Sequence, residues 1–75
     1  NMGIDMRGFK VVYKERVYNA LNMCWRYNDT PPEIEAEEKG IAKPKFLTVV
    51  TLNEDGEVIL LHDEACMFQF LRITN

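Results

Sequence analysis

Phe46-Leu47-Thr48-Val49-Val50-Thr51-Leu52, followed by Asn53-Glu54-Asp55-Gly56-Glu57 and then Val58-Ile59-Leu60-Leu61-His62, is the stretch whose reading decides the fold. Two runs rich in β-branched and aliphatic residues flank a polar segment with an Asp-Gly pair, which is the signature of a hairpin. Gly56 suits the left-handed position of the turn, where a Cβ would be strained. Phe46, Thr48, Val50 and Leu52 fall on one face and Leu47, Val49 and Thr51 on the other. Apolar side chains therefore stand on both faces. Such a hairpin is either central and covered on both sides, or keeps one bare face that meets a partner.

Outward from this hairpin toward the C-terminus, Asp63-Glu64-Ala65-Cys66-Met67 reads as one tight helical turn and Phe68-Gln69-Phe70-Leu71-Arg72-Ile73 as a last short strand. Toward the N-terminus, Phe9, Val11 and Tyr13 alternate with Lys10 and Lys14, and the period of two resumes from Val17 to Tyr27. This predicts a second hairpin. Its turn has to be made by Lys14-Glu15 or Glu15-Arg16, neither of which offers the glycine that a two-residue primed turn prefers. Along its second strand Tyr18 and Ala20 share one phase while Leu21, Met23 and Trp25 share the other. A β-bulge near Ala20-Leu21 resolves that switch and bends the strand. The core is expected to draw on Phe9, Val11, Tyr18, Leu21, Val50, Leu52, Val58, Leu60 and Phe70.

Between the hairpins lies an acidic excursion over residues 28–45. Thr30 with Glu33 matches a capping box, Pro31 suits the first helical position, and Gly40 suits the residue after a last turn. The interior is weak, since Ile34 and Ala36 share no helical stripe and the glutamates repel. The segment is expected to be a short helix or an acidic loop, and residues 1–8 an N-terminal tail.

The chain has 75 residues, 47% hydrophobic and 28% charged, with a formal net charge of −3. A chain this long buries only about 60% of its unfolded surface, enough for one core and one domain spanning residues 1–75. Its hydrophobic content is too high, and its net charge too small, for a disordered chain. No apolar run approaches the roughly 20 residues that cross a bilayer. The stretch Asn1-Met2-Gly3-Ile4-Asp5-Met6-Arg7 has no apolar core of secretory type, Met2 reads as the natural start, and a cytoplasmic location is expected. Cys24 and Cys66 are too few for a disulfide framework and are expected as free thiols, each beside large apolar residues.

The order strand, short turn, long bent strand, connecting loop, Asp-Gly hairpin, helical turn, final strand resembles small SH3-like β-barrels. The resemblance is carried by Lys10-Val11-Val12-Tyr13-Lys14 with Arg16-Val17-Tyr18, by Leu52-Asn53-Glu54-Asp55-Gly56-Glu57-Val58, and by Asp63-Glu64-Ala65-Cys66-Met67-Phe68. The chain also resembles short proteins of that fold from bacterial phages and mobile elements. The resemblance implies a mainly β domain, five strands in a partly open barrel, with the acidic segment between its two hairpins. The aromatic and acidic-loop pattern of polyproline-binding SH3 domains is absent, so that specificity is not implied, and fold does not carry function.

Chemistry finds little purchase. His62 and Cys66 lack a third orienting group for nucleophilic catalysis. Cys24, His62 and Cys66 with Asp63 or Glu64 could offer zinc its preferred donors, but without paired knuckles. The carboxylate pairs Asp63-Glu64 and Glu37-Glu38 are sequence neighbours that point apart on a strand, and no glycine belongs to a phosphate loop. No catalytic residue, metal ligand or cofactor is assigned.

Charge is laid out unevenly. Through Tyr27 five Lys/Arg face Asp5 and Glu15, whereas from Glu54 onward five acids face Arg72 alone. The reading that follows is a non-catalytic interaction module binding a protein partner or a second copy. One alternative is single-stranded nucleic acid on Lys10, Lys14, Arg16, Trp25, Arg26 and Tyr27, where cations alternate with stacking rings. The net acidity argues against it. Another is an acidic inhibitor presenting Glu33, Glu35, Glu37 and Glu38 to a basic host protein.

Overall fold

The computed structural model describes residues 3–26 and 45–74. They form β1 (Ile4–Tyr13), β2 (Arg16–Arg26), β3 (Phe46–Leu52), β4 (Val58–Glu64), a 3-10 turn (Ala65–Met67) and β5 (Phe68–Arg72). The strands make one antiparallel sheet in the order β4-β3-β2-β1-β5, which among the described residues leaves β4 and β5 as its edges. The mainly β expectation holds. The helical turn expected over residues 63–67 is only the 3-10 turn, because β4 continues as strand through Glu64. The helix or loop expected over residues 28–45 lies, up to Pro44, outside the described residues. β1 starts at Ile4, inside the stretch read as a tail, and its first residues pair with Asn22 and Met23 of β2.

Turn chemistry explains both hairpins. Lys14 and Glu15 adopt φ of 48° and 67°, so the first turn is Lys14-Glu15 with both central residues in the left-handed region and Tyr13 opposite Arg16. Two L-residues there cost roughly 1 kcal/mol each, which the ten-residue β1 ladder offsets. In the second hairpin Gly56 has φ 79°, and the Asn53 side-chain oxygen accepts the N–H groups of Asp55 (2.9 Å) and Glu57 (2.8 Å). Local hydrogen bonding of this kind is what favours Asn at turns.

Leu21 is the bulge that the phase switch along β2 predicts: Ala20 pairs with Thr51 and Asn22 with Val50, leaving Leu21 unmatched. On the other side of β2 the register breaks at the same level, between Asp5 and Phe9. Gly8, at φ 93°, lies in that break and its carbonyl accepts the N–H of Ile73. Two irregularities at one level bend the sheet there and turn Met6 inward.

The core consists of Met6, Val11, Ala20, Leu47, Val49 and Leu61, joined by Thr51, with Phe9, Tyr13, Tyr18, Met23, Ile59, Phe68 and Phe70 packed around them. This corrects the expected core in the second hairpin. Val50, Leu52, Val58 and Leu60 occupy the opposite face; Leu47, Val49 and Thr51 of β3 and Ile59 and Leu61 of β4 are inside instead. The reason is register. Side chains alternate with a period of two, so one residue of phase transfers a whole set of residues between faces. The bulge at Leu21 puts Ala20 and Met23 on the core side, and their partners Thr51 and Val49 follow. Thr51 can be buried because its hydroxyl donates to the Ile59 carbonyl at 2.8 Å, leaving no unsatisfied polar group. Leu21, also expected in the core, is only half-buried in the bulge.

Candidate interaction face

The register that fills the core leaves an apolar surface behind it. On the outer face of β3 and β4 the cross-strand pairs are Val50 with Leu60 and Leu52 with Val58. Val50 and Leu52 are half-buried between their neighbours, whereas Val58 is 62% and Leu60 68% exposed. Both lie on the edge strand. The surface continues toward Thr48 and His62, whose hydroxyl oxygen and Nδ1 are 2.9 Å apart, and His62 stacks on Phe46 with ring centroids 5.6 Å apart. At the opposite end Arg16, Val17 and Tyr18 of β2 and Asn53, Glu54 and Asp55 of the turn line a cleft of about 470 Å³.

The backbone of β4 adds a second property. Its ladder to β3 is bracketed by two hydrogen bonds, Asn53 N–H to the Glu57 carbonyl (2.9 Å) and Ala65 N–H to the Lys45 carbonyl (2.8 Å). Antiparallel residues alternate between bonding inward and facing outward. Residues 57, 59, 61, 63 and 65 thus turn their backbone groups toward β3, and Val58 and Leu60 turn theirs to the open edge. Among the described residues, those with the most exposed large apolar side chains are also ones with outward-facing N–H and C=O groups.

The inner face is tied differently. Tyr13 of β1 donates from its hydroxyl to the Asp63 carboxylate of β4 at 2.7 Å, linking strands that are not neighbours in the sheet. Its ring stacks on Phe68 at 4.8 Å, and the Lys14 ammonium lies 5.3 Å from its centroid. The Tyr13 bond and the N–H of Glu64 hold the Asp63 carboxyl below its usual range, helped by the positive charge of Lys14. The same carboxylate raises the Tyr13 hydroxyl above its ordinary value. On β1 the guanidinium of Arg7 grips both oxygens of Asp5 and lowers that carboxyl to about 2. Both side chains are largely exposed, so the effect of this pair on folding is small.

The residues considered for nucleic acid do not converge. Lys10 and Arg26 follow the outer phase, paired with Asn19 and with Phe46; Lys14 is in the turn. Arg16 and Trp25 follow the inner phase, paired with Tyr13 and Leu47, at opposite ends of β2, about 30 Å apart along the strand. Tyr27 and the acidic set Glu33, Glu35, Glu37 and Glu38 lie outside the described residues. Among the described residues no three His, Cys, Asp or Glu side chains gather as metal ligands, so Cys24, His62 and Cys66 form no such site. Cys24 and Cys66 are free thiols, the first half-buried and the second exposed on the 3-10 turn despite its large apolar sequence neighbours. Among the described residues no helix is long and apolar enough to cross a membrane.

Val58 and Leu60 are the site residues that sequence reasoning misplaced, having assigned them to the core. The signal that could have found them was present: a hairpin with apolar residues on both faces, Phe46, Val50 and Leu52 on one and Leu47 and Val49 on the other. Comparison with protein-family models, with curated proteins and with solved structures gives no match for this chain.

Proposed function

We propose that this protein is a non-catalytic interaction module that works through the outer face of β3 and β4. The observation that carries the reading is the exposure of Val58 and Leu60 beside Val50 and Leu52. With about two thirds of its surface exposed, each of these aliphatic chains forgoes about 1–2 kcal/mol of burial, which association would recover. Contiguous apolar surface of this kind marks interaction sites. The occupant is another protein or a second copy of the chain.

The scaffold we propose for this face is an SH3-like partly open barrel. Its support is the strand order that returns β5 beside β1, the 3-10 turn before β5, the bend at Leu21, and the Tyr13 to Asp63 bond across the inner face. Nucleic-acid binding finds less support, since its residues are divided between two faces.

The test uses the double variant Val58→Asp with Leu60→Asp. It is expected to fold with stability within about 1 kcal/mol of the parent, since both positions are exposed. It is also expected to lose photo-crosslinks formed in cells from a reactive residue at position 52. Unchanged crosslinks, or collapse of the fold, would overturn the reading. Light scattering separates the occupants: a mass that rises with concentration assigns the face to a second copy, and a constant monomer mass assigns it to another protein.

A further inference from the structure

The outward backbone groups of Val58 and Leu60 say how the face is used. We infer that β4 accepts an added β-strand from a partner protein, an extended segment with apolar residues at alternate positions and Lys or Arg at both ends. The inference rests on the interaction-module reading and deepens it.

Three observations specify the occupant. The first is the edge itself: Val58 and Leu60 present N–H and C=O groups away from β3, the template that strand addition uses. The second is parity. Directly opposed residues on neighbouring strands project to the same face, so the partner residues bonded to Val58 and Leu60 place their side chains on the outer face beside those two. Apolar residues at those alternate positions cover the bare surface and shield the new hydrogen bonds. The third is charge. Glu54, Asp55 and Glu57 stand exposed before β4 and Glu64 at its end, and no Lys or Arg occurs between Lys45 and Arg72. The acidic ends, about 23 Å apart along the strand, match basic residues flanking a short apolar segment.

The same charges disfavour the two occupants this chain could itself supply. Antiparallel pairing of β4 with β4 of a second copy sets Glu57 of each beside Asp63 and Glu64 of the other, and like charges across a ladder destabilise it. Residues 27–44 carry five acids against two lysines and would add acid to acid.

The experiment titrates the ¹⁵N-labelled full chain with three peptides. The first is acetyl-Lys-Lys-Val-Thr-Val-Thr-Val-Lys-Lys-amide, the second is the same peptide N-methylated at its valines, and the third replaces every lysine by glutamate. The expected result is saturable shifts and slowed hydrogen exchange of the Val58 and Leu60 amides with the first peptide. Affinity falls at least tenfold with each of the others. Leu60→Pro, which removes an outward N–H and leaves the β3 ladder intact, loses the same tenfold; Leu60→Asp loses binding entirely. No saturable change at millimolar first peptide overturns strand addition, and so does binding indifferent to N-methylation. In both cases loss of cellular crosslinks in the aspartate variant would still stand for the module. Amides already protected without peptide also overturn it. Protection that grows with concentration assigns the edge to a second copy, and protection independent of concentration assigns it to this chain.

Discussion

Ile59 and Leu61 lie on one side of the β3–β4 hairpin and Val58 and Leu60 on the other, four aliphatic residues in a row with opposite fates. The inner pair packs against Val49 and the rest of the core, while the outer pair faces solvent. Their chemistry is nearly the same, so hydrophobicity did not choose between them. What chose was the bulge at Leu21 in the neighbouring strand, which fixes the phase of β3 and through it that of β4. A surface Leu is unremarkable on its own, but an apolar pair on an edge strand with outward backbone groups is a surface built for contact.

The contrast can be broken by truncating each side in turn. Leu61→Ala removes a buried side chain and leaves a cavity, and it should cost about 2–4 kcal/mol in urea unfolding. A smaller loss is expected for Thr51→Val, which deletes the hydroxyl bond to the Ile59 carbonyl while keeping the volume: about 1 kcal/mol, seen as a lower denaturation midpoint. Relieving the first turn works in the opposite direction. Glu15→Gly accommodates φ 67° without a Cβ and should stabilise by about 1 kcal/mol, which would show that turn strain and not packing limits the first hairpin. Leu60→Ala completes the series with a change below about 0.5 kcal/mol, since little apolar surface is buried there. Equal losses for Leu60→Ala and Leu61→Ala would dissolve the distinction between the faces.

Acid titration sharpens the inner face further. Asp63 is held below its unfolded value chiefly by Tyr13, so its contribution is present above about pH 4 and lost as pH falls through the folded value. Tyr13 is raised, so its share is present below about pH 10 and lost as pH climbs through its folded value. Tyr13→Phe should lower stability at neutral pH and flatten both limbs of the pH–stability curve. Thermal melts from pH 3 to 11 check this, and unchanged limbs would remove the Tyr13 to Asp63 bond from the forces that hold β1 to β4.

Much of the fold was legible because turn chemistry and phase are local. Asn53-Glu54-Asp55-Gly56 announced its hairpin, and the conflict of phase between Tyr18-Ala20 and Met23-Trp25 announced the bulge that the register shows at Leu21. The Lys14-Glu15 turn was one of two possibilities, and the sequence had no glycine with which to choose between them. The interaction face was legible only as an excess of apolar residues on both sides. Its assignment to Val58 and Leu60 was not, because Phe46, Val50 and Leu52 make the outer phase of β3 look the more hydrophobic of the two. The basic and aromatic residues were legible as a set but not as a surface, since alternation along β1 and β2 sends them to different faces.

The residues alone determine a small β domain, its hairpins, its bulge and an unequal division of charge, all consequences of period-two patterning and of local turn preferences. Which face of the second hairpin is core, and which edge is left open, was decided only by tertiary structure. Strand register depends on pairing between segments distant in sequence, and a shift of one residue in that pairing exchanges inside for outside.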